Sequence, residues 1–257
     1  MKYITYNVEN RVGYITLNRP EKRNALNHEF VTDLKRAFIN AETDEAVKVI
    51  VLKANGNAFC SGADLEYLKS LQEFTFEENL QDSAHLMELF KLIYQLRKVV
   101  IAQVQGHALA GGCGLVSVCD FAFSVPGANY GYTESRIGFV PAIVMCFLLR
   151  KIGEAKAKEL LLTGLPIKAK YAESIGLINW IVEEHELEGA VKEFAQKLCV
   201  SNSAFSMELT KQMIAEVPSM AFEEALRYAC RQNAAARNSE DCKHGIDAFL
   251  NKRTIEW

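Results

Sequence analysis

Two short β-branched runs, VKVIVLKA at residues 47–54 and VVIAQV at 99–104, constrain the fold of this 257-residue chain more than any other feature. Each is continuous and apolar without polar alternation, the pattern of a strand covered on both faces. Each is followed by a glycine-bearing loop and then by a helical pattern. Between them Leu86, Leu89, Phe90, Ile93 and Leu96 recur at helical spacing, which predicts a long helix with one buried face from about Glu77 to Arg97.

The remaining segments fit the same α/β plan. Ile4, Tyr6 and Val8, then Val12, Tyr14 and Thr16 across the polar ENR, alternate as a hairpin does. A charged loop, NRPEKRNALN, precedes a helical pattern from about Glu29 to Ala41, and FAFSV at 121–125 reads as a third strand. From about Ile143 the pattern is helical, apart from the short run GLINWIV. No repeat, low-complexity segment or Pro/Gly linker interrupts the chain. The expected organisation is a strand-rich core over residues 1–190 and a helical region over 191–257.

Composition narrows the function classes. With 49% hydrophobic residues the chain can bury a large core. A formal charge of -3, without a block of like charge, argues against a nucleic-acid or membrane partner. Seven cysteines with no C-x-x-C pair argue against both a disulfide framework and a zinc site, so no metal is expected. The charged, alternating first twenty residues are unlike a signal peptide, and no run of 18 apolar residues follows. A soluble protein of the reducing cytoplasm is expected.

The stretch His107 to Asp120, HALAGGCGLVSVCD, concentrates small residues. Leu115 and Val116 follow Gly114 where a phosphate loop needs Lys and Ser or Thr, and Ser117 stands where a dinucleotide fingerprint needs Gly or Ala. Two readings remain. Gly111 and Gly112 can open a helix whose first N–H groups face an oxygen gaining negative charge, or the small residues can simply let helix and strand pack closely. A second small-residue turn, Cys60, Ser61, Gly62 and Ala63 in NAFCSGADLEYL, favours the first reading. Two such turns after two strands can supply two convergent donors, which is what the enolate of a thioester needs.

Together NRPEKRNAL, FCSGADL, VQGHALAGGCGLVSVCD and YGYTESRIGFVPA resemble, in order and spacing, the four signatures of the crotonase, or enoyl-CoA hydratase/isomerase, superfamily. The resemblance spans essentially the whole chain. It implies an α/β fold, the crotonase (ClpP-like) spiral of ββα turns with a C-terminal helical region used in trimerisation, and an acyl-CoA substrate. By position it makes Ala63 and Gly111 the two backbone donors to the thioester oxygen. Lys22, Arg23 and Ala25 would line the CoA phosphates and adenine, and Asp64 and Leu65 the pantetheine. Phe249 and Lys252 would touch CoA near a subunit boundary. No cofactor beyond the CoA of the substrate is implied, and a homo-trimer or hexamer is.

Hydratases of the family commonly use two glutamates. Here Gly114 stands at the first position and only the second, Glu134, is present. One carboxylate suffices as a general base, taking a proton from water or from a carbon acidified by the oxyanion donors. The motifs look most like a bacterial subgroup assigned to 3-methylglutaconyl-CoA hydration in leucine breakdown, which also lacks the first glutamate. The resemblance therefore implies a lyase of fatty acid or leucine catabolism that hydrates an enoyl-CoA. A delta3-delta2-enoyl-CoA isomerase is the alternative enzyme, and a non-catalytic acyl-CoA or RNA-binding module the alternative of another class. His85, His107, Cys113 and Asp120 are expected to be packing or capping residues, whereas Tyr132 and Arg136 flank Glu134 and are candidates to touch substrate.

Overall fold

The structure is a computed structural model that describes residues 1–255 and 257. The expected hairpin forms from β1 (Ile4–Glu9) and β2 (Val12–Leu17), antiparallel with Ile4 opposite Leu17. Next comes α1 (His28–Thr43), begun by Asn27, whose side chain accepts the Phe30 N–H at 2.9 Å, a standard N-cap. Its Phe30, Leu34, Ala37, Phe38 and Ala41 face the core, as their three- and four-residue spacing requires.

From there the chain makes three turns of one plan: a strand, a shorter strand, then helix. The first turn is β3 (Val49–Ala54), β4 (Ala58–Cys60), α2 (Leu65–Ser70) and α3 (Phe76–Gln95). The second is β5 (Val99–Val104), β6 (His107–Leu109) and α4 (Gly111–Val118). The third is β7 (Phe121–Ser124), β8 (Asn129–Gly131) and α5 (Ala142–Thr163), the last broken at Gly153. A shorter passage follows through β9 (Ile167–Lys168), α6 (Ala169–Ser174) and β10 (Trp180–Ile181). The longer strands build a six-stranded sheet in the order β1-β2-β3-β5-β7-β10, and the shorter ones a four-stranded sheet, β4-β6-β8-β9. This is the expected spiral of ββα turns. Because β2, β3, β5 and β7 run parallel, the loops at their C-terminal ends gather on one side of the molecule. Lys22, Arg23 and Ala25 lie on the loop after β2, whereas Ala63, Gly111 and Glu134 follow the short strands β4, β6 and β8.

The short strands were not expected, and the reason is physical: AFC, HAL and NYG are too brief to show any period. One boundary also moves. The core was expected to end at residue 190, but that point falls inside α7 (Leu187–Ser201). Leu187, Val191, Ala195 and Cys199 of this helix are buried in the same hydrophobic cluster as β2, β3 and β5. The helices that stand outside the core are α8 (Ala204–Glu216), α9 (Phe222–Arg237) and α10 (Glu240–Leu250), which together bury only Lys211 and Ala248. Among the described residues no helix is long and apolar enough to cross a membrane.

Candidate active site

The two small-residue turns meet. Leu26 and Ala63 form an isolated parallel bridge in which the Leu26 N–H donates to the Gly62 carbonyl at 2.7 Å and the Asp64 N–H to the Leu26 carbonyl at 2.8 Å. In such a bridge the flanked residue's own N–H points the other way, so the Ala63 donor faces away from Leu26. Gly62 has φ +91°, and a Cβ there would lie 2.7 Å from Ala110 Cβ and 3.5 Å from Gly111 N. The Ala63 turn is thus in contact with the start of α4. Ala110 sits at φ 48°, ψ -123°, outside the ordinary regions for a residue with a side chain, held by its N–H bond to the Gly131 carbonyl at 2.7 Å. This conformation orients the first turn of α4, while Gly112 lets the helix approach β4: a Cβ there would stand 2.1 Å from the Cys60 carbonyl. Neither the Ala63 N–H nor the Gly111 N–H has a partner among the described residues. Two partly exposed donors, one at a helix N-terminus, therefore lie side by side and can bind one oxygen.

Around them the predicted binding residues divide by role. Lys22 and Arg23 are exposed on the loop after β2, Lys22 in an ion pair with Glu66 at 3.0 Å, while Ala25 is buried. The Arg23 carbonyl accepts the Ser61 N–H at 3.1 Å, which ties this loop to the Ala63 turn. Leu65 is 76% exposed beside the donors. Asp64 requires correction. Its side chain is turned inward, paired with Arg19 at 2.8 Å and capping α2 through the Glu66 N–H at 3.0 Å, so its carboxylate is not free to face a pantetheine chain. Burial alone would raise its pKa, but the Arg19 hydrogen bond and the N–H donors outweigh that and hold it below the ordinary range. Arg19 itself gave no sequence signal, since a charge beside a proline reads as loop.

Glu134 lies in a short 3-10 turn after β8. It is half-buried, and its Oε2 is sealed from solvent without a hydrogen-bond partner among the described residues. Burial raises its pKa, opposed by its own N–H. Such a carboxylate is poised as a base nearer neutral pH than a surface one. Tyr132, expected as a substrate contact, is instead fully buried against α4 at Cys113 and Ser117, where burial keeps its phenol protonated. Arg136 is exposed, its aliphatic stem against Gly164.

Gly114 faces a closed wall. A Cβ there would lie 2.5 Å from Val144 Cγ1 and 3.1 Å from the Phe90 ring. The space a side chain at 114 would need is already filled from α5 and α3. Neither wall residue stood out in the sequence as anything but core.

The weaker candidates fall away. Burial pushes the Cys113 thiol up to about 12, so it is no nucleophile at neutral pH. His107 stands at the start of β6, accepting the Asn129 N–H at 3.2 Å, and His85 of α3 stacks on His28 at the start of α1. Asp120 does not cap a turn; it accepts the Val100 N–H at 2.7 Å and pairs with Lys211. No group of three potential metal ligands occurs among the described residues. Phe249, 83% exposed near the end of α10, and Lys252 beyond it make no hydrogen bond to the Ala63 or Gly111 turns among the described residues. The end of the chain anchors at the opposite pole, where Trp257 N–H donates to the Val200 carbonyl and its own carbonyl accepts from Lys48, next to the first residue of β3.

The comparisons agree with the geometry. Residues 7–257 match the family model described as Enoyl-CoA hydratase/isomerase. A Thermus thermophilus protein carrying a provisional enoyl-CoA hydratase name is 40% identical, over 94% of this chain and 95% of its own length. The short-chain-enoyl-CoA hydratase of Clostridium acetobutylicum is 33% identical over 96% of this chain and 94% of its own. The crystal structure of a Mycobacterium smegmatis enoyl-CoA hydratase superposes with a TM-score of 0.93 at 30% identity, covering 99% of this chain and 98% of that one. The likeness runs through the whole spiral, from the hairpin to the outer helices, and the chain belongs to the enoyl-CoA hydratase/isomerase family.

Proposed function

We propose that the protein adds water across the 2,3 double bond of an enoyl-CoA thioester, with Glu134 as its only catalytic carboxylate. The observation that carries this reading is the combination of two adjacent unpartnered N–H groups, of Ala63 and Gly111, with a buried carboxylate oxygen that has no partner. The thioester oxygen accepts from both donors, which stabilises the charge it gains as the double bond is attacked. Glu134 takes a proton from water as its oxygen bonds to C3. The same carboxyl then returns a proton to C2, so the product is the 3-hydroxyacyl-CoA. Water is consumed and no redox equivalent is needed. The exposed apolar residues Leu65, Ile137, Phe139 and Val140 offer surface beside the two loops for the acyl and pantetheine chains.

The hydratase activity named for the relatives supports hydration, and a short or branched acyl group is the natural first test. 3-Methylglutaconyl-CoA, the leucine-breakdown substrate implied by the motifs, carries a distal carboxylate; the exposed Arg136, two residues after Glu134, is the cation that would meet it. Phe249 and Lys252 fit CoA contacts only if a neighbouring subunit supplies them, consistent with a trimer.

One observation favours a second reading. The apolar wall of Val144 and Phe90 at Gly114 excludes a second carboxylate to hold the water, and moving a proton between C2 and C4 needs only one base. The experiment is turnover of a panel of 2-enoyl and 3-enoyl thioesters in H₂¹⁸O. Hydration places ¹⁸O at C3 of the product; isomerisation of a 3-enoyl-CoA without label uptake would replace the hydratase reading.

A further inference from the structure

The two ends of α4 face different surroundings. Gly111 opens it at the candidate active site, whereas Val118, Cys119 and Asp120 at its far end border a cleft of about 710 Å³ between the core and α8. The packed contact of Gly114 with Val144 and Phe90 lies between these ends, and Ala63, Gly111 and Glu134 are not among the residues that line the cleft.

Three cations line the cleft against one carboxylate. Lys211 Nζ donates to the Lys98 carbonyl at 2.8 Å and to Asp120 Oδ2 at 2.6 Å. Lys151 Nζ donates to the Cys119 carbonyl at 2.7 Å, and Arg150 at the rim donates to Ser219 Oγ at 2.7 Å. Lys151 uses one of its three donors in this way. A cation at a helix C-terminus is ordinary stabilisation of the helix end. That role accounts for one ammonium, not for a surplus of two positive charges in a cleft whose walls include Phe147, Leu198, Met207 and Ile214. The volume lies within the roughly 300–1,000 Å³ of small-molecule sites, which likewise combine apolar walls with a few convergent polar groups.

We propose that this cleft is a second ligand site, separate from the Glu134 site, for an amphipathic monocarboxylate: the carboxylate on Lys151 and Lys211, the aliphatic chain along Phe147, Leu198, Met207 and Ile214. Charge selects the occupant. A neutral chain would leave Lys151 without an anion, since Asp120 serves Lys211 alone, and a polyanion such as a nucleotide would set its polar body against apolar walls.

Decanoate is the probe, followed by calorimetry on the full chain. The expected result is one saturable site per chain, with Lys151→Met weakening binding about tenfold or more, the loss typical of one charge-assisted hydrogen bond. Met207→Trp, which fills the cleft, should abolish binding even where Lys151→Met perturbs folding. Decan-1-ol should bind at least about tenfold more weakly than decanoate. Glu134→Gln should leave decanoate binding intact, and saturating acyl-CoA should not displace it. No saturable binding, equal affinity for the alcohol, or displacement by acyl-CoA would overturn the proposal. So would decanoate binding that arises only in a Leu226→Asp variant that has lost self-association, because the cleft would then belong to a second copy of the chain.

Discussion

In the proposed mechanism Ala63, Gly111 and Glu134 act through different properties, and each property makes a separate prediction. Ala63 acts through its N–H alone, so its side chain is free to change but its nitrogen is not. Ala63→Pro removes the donor and should lower turnover by about 10² or more, provided circular dichroism shows the native fold. Wild-type activity in the folded variant would take Ala63 out of the oxyanion site. Glu134 must be ionised to accept a proton, and burial raises its pKa, so the ionised fraction grows as pH rises through a value above the ordinary carboxylate range. The acid limb of the kcat/KM profile should therefore lie above about 4.3, the value for a free glutamate, and a limb at or below that value would contradict the buried-base assignment. At this scale the sequence offers backbone positions through its motifs, as at Ala63 and Gly111. It misled at Asp64, because motif position says nothing about which way a side chain turns. Arg19 decides that orientation from a loop 45 residues earlier, by supplying a buried partner.

Element packing explains why Gly114 is a glycine irrespective of catalysis. Helix α4 passes so close to α5 and α3 that a methyl group at 114 must displace Val144, whose branched side chain is stiff, or the buried Phe90. Gly114→Ala should cost about 1–2 kcal/mol despite the better helix propensity of alanine. Combined with Val144→Ala, the loss should be smaller than the sum of the single losses by about 1 kcal/mol, measured by chemical denaturation. Simple additivity would mean that the two side chains do not compete for the same space. The Arg19–Asp64 pair locks α2 to the loop after β2, and both groups are buried. Asp64→Ala leaves the guanidinium without its anion and should cost about 3 kcal/mol at neutral pH. Because the folded-state pKa of Asp64 is depressed, its contribution is present above the unfolded value of about 3.9 and fades as pH falls below it, so the deficit should narrow in acid. Long periodic segments were legible in the sequence: β5 was expected at its observed limits, and α1 and α3 within two residues at each end. The three-residue strands β4, β6 and β8 were not, because their pairing is dictated by the spiral and not by local pattern.

The whole molecule leaves its outer helices unsatisfied as a single chain. Phe222 and Phe249 are 75% and 83% exposed, with Leu226 and Ile246 about half exposed beside them on α9 and α10. Large exposed apolar residues on two adjacent helices mark an association surface, and a trimer or a dimer of trimers is expected by sedimentation velocity at micromolar concentration. A monomer there would remove the neighbouring subunit on which any CoA contact by Phe249 and Lys252 depends. The spiral was legible because four motifs in register fix its turns. The extent of the core was not, since the amphipathic pattern of α7 looks the same whether its apolar face meets this core or a partner. The central claim is that Glu134 is the sole base beneath two backbone donors, and Glu134→Gln tests it most directly because it keeps shape and hydrogen bonding while removing the basic oxygen. With a hydrated enoyl-CoA substrate, kcat should fall by about 10² to 10⁴ while acyl-CoA binding, measured by calorimetry, stays nearly unchanged. Undiminished kcat in the folded variant would contradict the account.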